Sequence, residues 1–276
     1  GATGEMAGYV SNGCVDADLR LQALAAIADG NVMELVYGAG SPFVDLRLPC
    51  GGSVEIMIDP RPDLDLCRDA QKRLGSRQPI ALAFSPIDGL ESVAPTHSGC
   101  AHRTGYYTVV HQPRLRLVVA GRGAPLVAVA EVANALQMSN LALSPDAEDG
   151  RRAGLWNRGS FSQLKSHRSA PRLGLDAWTA VLCLYHAHEW EEVILGAALK
   201  SDAFFIGAMG SPQTQKARLS MLRAAGYSER SLARVVGPIG LIPSARDAHT
   251  LAVSALAQVV EEYRERIALR PTVQAA

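Results

Sequence analysis

Five cysteines, two histidines one residue apart and a series of glycine turns are the features of this sequence that could do chemistry. Cys14 lies in "GYVSNGCVDADLR", between a glycine and an apolar-periodic stretch, and Cys50 lies in "LPCGG", ahead of Gly51 and Gly52. The thiolate is the reactive form of cysteine; it can ligate a soft metal or hold transferable sulfur, and a helix N-terminus favours it. Cys14 stands just before such a predicted helix. Cys50 lacks one, but its two glycines leave the backbone open to close approach. The competing reading for both is a small buried side chain. Cys67 falls on a helix face and Cys183 inside an apolar strand, where packing is the expected role, and Cys100 falls in a loop. An odd number of cysteines with no CxxC pair speaks against a disulfide framework and a zinc finger, so reduced thiols are expected.

The glycine turns raise the question of an anionic ligand. "VVAGRGAPLVAV" reads as a strand, Gly121-x-Gly123 and a helix, the order in which a dinucleotide fold sets a pyrophosphate on a helix N-terminus. The third fingerprint position is Leu126 rather than glycine or alanine. Ser144 stands where an acidic ribose partner is expected, with Asp146 two residues late. NAD(P), another phosphate-bearing ligand and plain packing are the three readings of this turn. In "YHAHEW", strand spacing predicts His186 and His188 on one face, able to meet a metal or an anion or to exchange protons. Without a third ligand close in sequence, no metal site is assigned. "FFIGAMGSPQTQKARL" offers a turn at Gly207 and Gly210, a cap at Ser211 and Pro212 at the first helical position: an anion site, or simply a well-made helix start. "GPIGLIPSARDAHTL" predicts a capping box from Ser244 to Asp247. That places Arg246 in a first helical turn, against the dipole, and makes it a candidate for holding something negative.

These side chains must be positioned by a substantial fold. The 276 residues are 48% hydrophobic and 20% charged, enough for a large core or two, and no apolar run is long enough to cross a bilayer. Lys plus Arg and Asp plus Glu both number 27, which gives no argument for a nucleic-acid or membrane partner. Without a signal-peptide pattern at its start, the chain is expected in the cytoplasm. The first region alternates helical and strand patterns: "DADLRLQALAAI" and "DLCRDAQKRLG" as helices, "NVMELVYG", two strands joined at Cys50-Gly51-Gly52, "PIALAFSP" and "GYYTVVH" as strands. "QPRLR" marks the junction. Beyond it, "LRLVVA", "LALS", "AWTAVLCLY" and "AFFIGA" alternate with helices and predict a parallel sheet covered on both faces. Residues 148–172 read as a long polar loop, and "AHTLAVSALAQVVEEYRERIA" as an amphipathic closing helix. The fold class is α/β: an N-terminal mixed α+β domain over 1–112, followed by a Rossmann-like domain with a parallel sheet over 113–276.

Taken in order, "GYVSNGCVDADLRLQAL", "LPCGGSVEIMIDP", "PRLRLVVAGRG", "AVLCLYHAHEW", "AFFIGAMGS" and "GPIGL…ARDA…LAVSALAQVV" resemble the xanthine dehydrogenase accessory factor family, the XdhC/CoxI-type molybdenum cofactor chaperones. The likeness spans nearly the whole chain and rests on the ordered set of blocks. It implies an N-terminal domain with two cysteine motifs and a C-terminal Rossmann domain. It also implies a non-catalytic maturation factor that binds and protects molybdopterin-type cofactor. Such a factor supports sulfuration of the cofactor with a cysteine desulfurase and delivers it to a molybdenum hydroxylase such as xanthine dehydrogenase. A homodimer is plausible for such a factor. The motif positions carried over are Cys14, Cys50, Gly51, Gly52, Gly121, Gly123, His186, His188, Gly210, Ser211 and Gly237 with Gly240; Arg246 joins them as a cofactor-binding candidate. This chain departs from the pattern at Ala187, usually acidic, at "PQTQK", usually basic, and at Ile242, usually aspartate. The family pattern also places a strand-rich segment ahead of "MAGYVSNGC". The alternative function is an NAD(P)-dependent oxidoreductase built on the Rossmann half, against which the incomplete glycine fingerprint counts. A thiol-redox or sulfur-carrier protein without a pterin is a third reading.

Overall fold

The computed structural model describes residues 1–11, 13–39, 51–85, 89–93, 100–103, 106–154, 161–167, 171–185 and 188–268. They form two compact units, one of described residues up to His111 and one from Gln112 onward.

In the first unit, α1 (Asp16–Asp29) precedes β1 (Met33–Gly38) and β2 (Ser53–Ile58), which pair antiparallel from Met33 opposite Ile58 to Gly38 opposite Ser53. Val15, Leu19, Leu35 and Tyr37 make their core. The Tyr37 hydroxyl donates to Asp18 at 2.7 Å, and burial first, then Asp18, pushes this phenol well above its ordinary value. Helix α2 (Leu64–Gly75) is capped by Asp63, which accepts from the amides of Asp65 and Leu66. A four-stranded antiparallel sheet follows, with β3 (Ile80–Ser85), β4 (Gly89–Val93), β5 (Cys100–Arg103) and β6 (Tyr106–His111) in the order β4-β3-β6-β5. Strands β4 and β5 are absent from the sequence reading, and Cys100 opens an edge strand rather than lying in a loop. Edge strands carry weak apolar alternation because only one neighbour and half a face constrain them. The first of the two strands expected around Cys50 lies outside the described residues.

The second unit runs β7 (Arg116–Gly121), α3 (Ala124–Ala135), β8 (Ser139–Ser144), α4 (Ala147–Arg152), β9 (Phe161–Gln163), β10 (Thr179–Leu184), α5 (His188–Leu199), β11 (Phe205–Ala208), α6 (Pro212–Ala224), α7 (Glu229–Leu232), β12 (Val235–Val236) and α8 (Ala248–Ala268). Its six strands are all parallel, in the order β12-β11-β10-β7-β8-β9. Both faces are covered, so β7 and β10 are apolar beyond their first residues, Arg116 and Thr179: Leu117 and Val119 enter a core with α3 and α8, Val118 and Ala120 one with α5 and α6. The sheet grows outward in both directions from the β7–β10 pair, the doubly wound arrangement of Rossmann domains. Residues 148–172 are not one long loop; they contain the end of α4 and all of β9. A six-residue polar helix and a three-residue edge strand show no period long enough to read.

Candidate functional site

In an open parallel sheet, ligands bind outside the carboxyl ends of the strands where the strand order reverses. Here that point lies between β7 and β10, flanked by β11. The described residues at and just beyond the carboxyl ends of these strands are Gly121–Gly123, Tyr185 and Met209–Ser211.

The glycines of these turns have different tasks. A Cβ on Gly121 would lie 2.8 Å from Leu184 Cβ and 3.1 Å from the Leu184 carbonyl oxygen, so this glycine lets β7 and β10 pack. Gly123 has φ of +68°, and a Cβ there would meet nothing within 4 Å; it is glycine because of its backbone, beside open space. Its N–H is already engaged: both carboxylate oxygens of Asp149 lie 3.1 Å away. At the next turn, Gly210 has φ of +144° and packs on Thr214. Ser211 Oγ accepts from the Thr214 amide at 3.1 Å, with Pro212 at the first helical position, so α6 starts as its cap residue dictates.

Tyr185, Met209, Gly210, Ser211, Gln213 and Thr214 line a cleft of about 330 Å³ at this end of the sheet. The Tyr185 ring stacks on Trp190 at 6.2 Å, and its hydroxyl reaches the Leu143 carbonyl at 3.5 Å. Burial raises the Tyr185 phenol well above its ordinary value, with Cys183 and Asp149 adding to the shift and Arg122 opposing it. It is therefore a neutral hydrogen-bonding group. Behind the cleft, the fully buried Arg218 donates to Glu191 on α5, to the Met209 carbonyl and to Gln215, each at 2.6 Å. Gln215 in turn donates to Val235 on β12 at 2.9 Å. This network anchors the β11–α6 turn from inside.

Cys14 is exposed, and its loop is folded around one carboxylate. Asp16 accepts from the amides of Val10 at 2.8 Å, Ser11 at 3.4 Å and Gly13 at 2.5 Å, and from the Ser11 hydroxyl at 3.0 Å. These bonds, led by that from Val10, hold the Asp16 carboxyl below its ordinary value. Gly51, with φ of +70°, and Gly52 are exposed at the entry to β2. Cys50 and His186 lie outside the described residues. Cys183 is fully buried, and burial together with Glu191 pushes its thiol up to about 12, which makes it a packing residue. Cys67 is half-buried on α2.

Two expectations need correction. β10 ends at Leu184 and His188 opens α5, so His188 stands on a helix and not on the strand face where the spacing put it. Asp247, not Ser244, caps α8: its carboxylate accepts from the Thr250 amide at 2.8 Å and its carbonyl accepts from Leu251. Arg246 is exposed and lies ahead of the cap, outside the helix, so no dipole conflict exists. Asp149, Tyr185, Glu191 and Arg218 carry no local signal as site residues, because Asp149 meets Gly123, Tyr185 meets Leu143 and Arg218 meets Glu191 across 26 to 42 positions; Ser144, noted in the sequence for the missing ribose partner, instead donates to Asp149. Among the described residues, no three His, Cys, Asp or Glu side chains converge as a metal-ligand set. No described helix is long and apolar enough to cross a membrane.

Comparison with known proteins places this geometry. Over 256 residues the chain is 31% identical to the molybdenum cofactor insertion chaperone PaoD of Escherichia coli K12, an alignment covering 93% of this chain and 74% of that protein. Its fold matches a crystal structure described as a xanthine dehydrogenase from Bacillus halodurans, with a TM-score of 0.73 and 18% identity over 96% of this chain and 84% of the other. Residues 117–259, from β7 into α8 and more than half of the chain, match the family described as the XdhC Rossmann domain. By that match and by its identity to PaoD, the chain belongs to the XdhC family.

Proposed function

We propose that this protein is a molybdenum cofactor chaperone. It binds molybdopterin-type cofactor as cargo, protects it, supports its sulfuration by a cysteine desulfurase and delivers it to a molybdenum hydroxylase such as xanthine dehydrogenase, without turning over a substrate of its own. The observation that carries this reading is the 31% identity, over 93% of the chain, to a protein named a molybdenum cofactor insertion chaperone. We read residues 1–112 as the cysteine-bearing domain and 113–276 as the Rossmann domain of a cytoplasmic homodimer.

The chemistry of the cargo fits the residues available. A pterin dithiolene complex of molybdenum is anionic, carries a phosphate and is oxygen-sensitive, so a carrier needs backbone donors, polar groups and soft sulfur. The β11–α6 turn, with Gly210, Ser211 and the neutral Tyr185 beside it, supplies donors on a rigid base. Cys14, exposed on the loop organised by Asp16, is the described thiol open to ligation or persulfide transfer. Cys50 with Gly51 and Gly52, His186 and His188, and Arg246 complete the candidate set; Gly121 and Gly123, candidates from the sequence, belong to strand packing and to the turn that Asp149 occupies.

The test is anaerobic incubation of purified protein with molybdenum cofactor and, separately, with NADH, followed by gel filtration. Retained pterin fluorescence is expected, and tight nicotinamide binding without pterin retention would overturn the reading. Cys14→Ser and Cys50→Ser should each lower pterin retention or sulfur transfer; unchanged behaviour in both assigns the cysteines a structural role only.

A further inference from the structure

The first turn of a dinucleotide fold normally aims free backbone N–H groups at a pyrophosphate. In this chain the Gly123 amide, in the turn between β7 and α3, is not free. The Asp149 carboxylate, from α4, sits against the Gly123 amide with both oxygens at 3.1 Å, and Ser144 at the end of β8 donates its hydroxyl proton to Asp149 Oδ2 at 2.6 Å. The direction of the chain is fixed, because Ser144 Oγ accepts from the Asp146 amide at 3.0 Å and so gives its proton to the carboxylate. Asp149 is 3% exposed and Ser144 is fully buried.

Two further features hold this arrangement. A Cβ on Gly150 would stand 2.6 to 2.8 Å from the ring of Phe161 on β9, so the glycine lets α4 lie against the sheet and keeps the neighbouring Asp149 over the turn. Pro125 has no N–H, and the first turn of α3 has lost that donor as well.

We infer that Asp149 is a built-in anion that closes the β7–α3 turn to nucleotide diphosphates. It takes the Gly123 donor a diphosphate would use, and it adds a negative charge, itself 3% exposed, that such a ligand would have to approach. The residue thereby determines specificity: it rejects nicotinamide dinucleotides, and any diphosphate, at the turn whose glycines most resemble a binding motif. This assignment holds whether or not the cargo is molybdopterin.

Isotope-labelled full-length protein, titrated with NADH and with inorganic pyrophosphate, tests it. In the wild type the Gly123 amide resonance should not move. In Asp149→Ser, which frees the amide and removes the charge, NADH affinity should rise by roughly tenfold or more, the scale of one relieved like-charge contact. Asp149→Asn keeps size and an acceptor while losing the charge, and should show a smaller gain in the same direction. A saturable shift of the wild-type Gly123 amide overturns the inference, and so does a folded Asp149→Ser or Asp149→Asn variant that binds no better than wild type. If Asp149→Ser does not fold, the wild-type titration and Asp149→Asn decide the matter. Pterin retention measured on the same wild-type sample separates the two proposals, since its failure bears on the chaperone reading and not on Asp149.

Discussion

The two cysteines most clearly distinguished by the structure differ through their surroundings alone. Cys183 would have to place its charge inside an apolar core beside Glu191, whereas Cys14 faces water on a loop. Iodoacetamide should therefore label Cys14 in the native protein and reach Cys183 only after denaturation, as read by peptide mass spectrometry. Asp16 gives the Cys14 loop its form, and its depressed pKa sets a pH dependence. A carboxylate with a lowered folded-state pKa contributes its full stability above the ordinary value of 3.8 and loses it as pH falls through the lower folded value. The thermal midpoint of Asp16→Asn should thus lie below that of wild type at neutral pH, with the gap closing as the solution is acidified below that ordinary value. A gap that widens on acidification would refute the role given to Asp16.

Helices and strands become a site here through a few polar ties between them. Glu191 on α5 and Arg218 on α6 are both buried, and truncating one partner leaves the other charge without compensation. Glu191→Gln should cost about 3 to 5 kcal/mol in urea unfolding, the range for breaking a buried pair. It should also loosen the β11–α6 turn, because Arg218 holds the Met209 carbonyl. Ser211→Ala should cost about 1 kcal/mol, the usual loss of a cap. Gly121→Ala forces a methyl against Leu184 and should cost about 1 to 3 kcal/mol, with no route to relief other than separating β7 from β10. The long helices and buried strands were legible because their apolar periods run for ten residues or are continuous. The short elements β4, β5, β9 and β12 were not, since two to five residues on an edge do not establish a period.

The second unit carries its own core on both faces of its sheet, from Leu117 to Val259 on one side and from Val118 to Val235 on the other. A fragment beginning at Gln112 is expected to fold cooperatively, with dispersed amide resonances and a single urea transition; a molten spectrum would show that the division at this point is not one of folding. The amino-acid sequence by itself determined the α/β class, the succession of strands and helices through β7, α3, β10, α5, β11, α6 and α8, the helix start at Ser211, and the ordered blocks that resemble XdhC. The elements are local properties, each following from the period of apolar residues or from the stereochemistry of glycine, proline and caps, while the resemblance rests on the order of the blocks. The tertiary structure alone decided that Gly121 serves packing, that Asp149 occupies Gly123 from 26 positions away, that Asp247 rather than Ser244 caps α8, and that Arg218 and Glu191 anchor the cleft. These depend on where the folded chain brings polar groups together out of water, and a buried carboxylate or guanidinium has no periodic signature by which sequence could announce its partner.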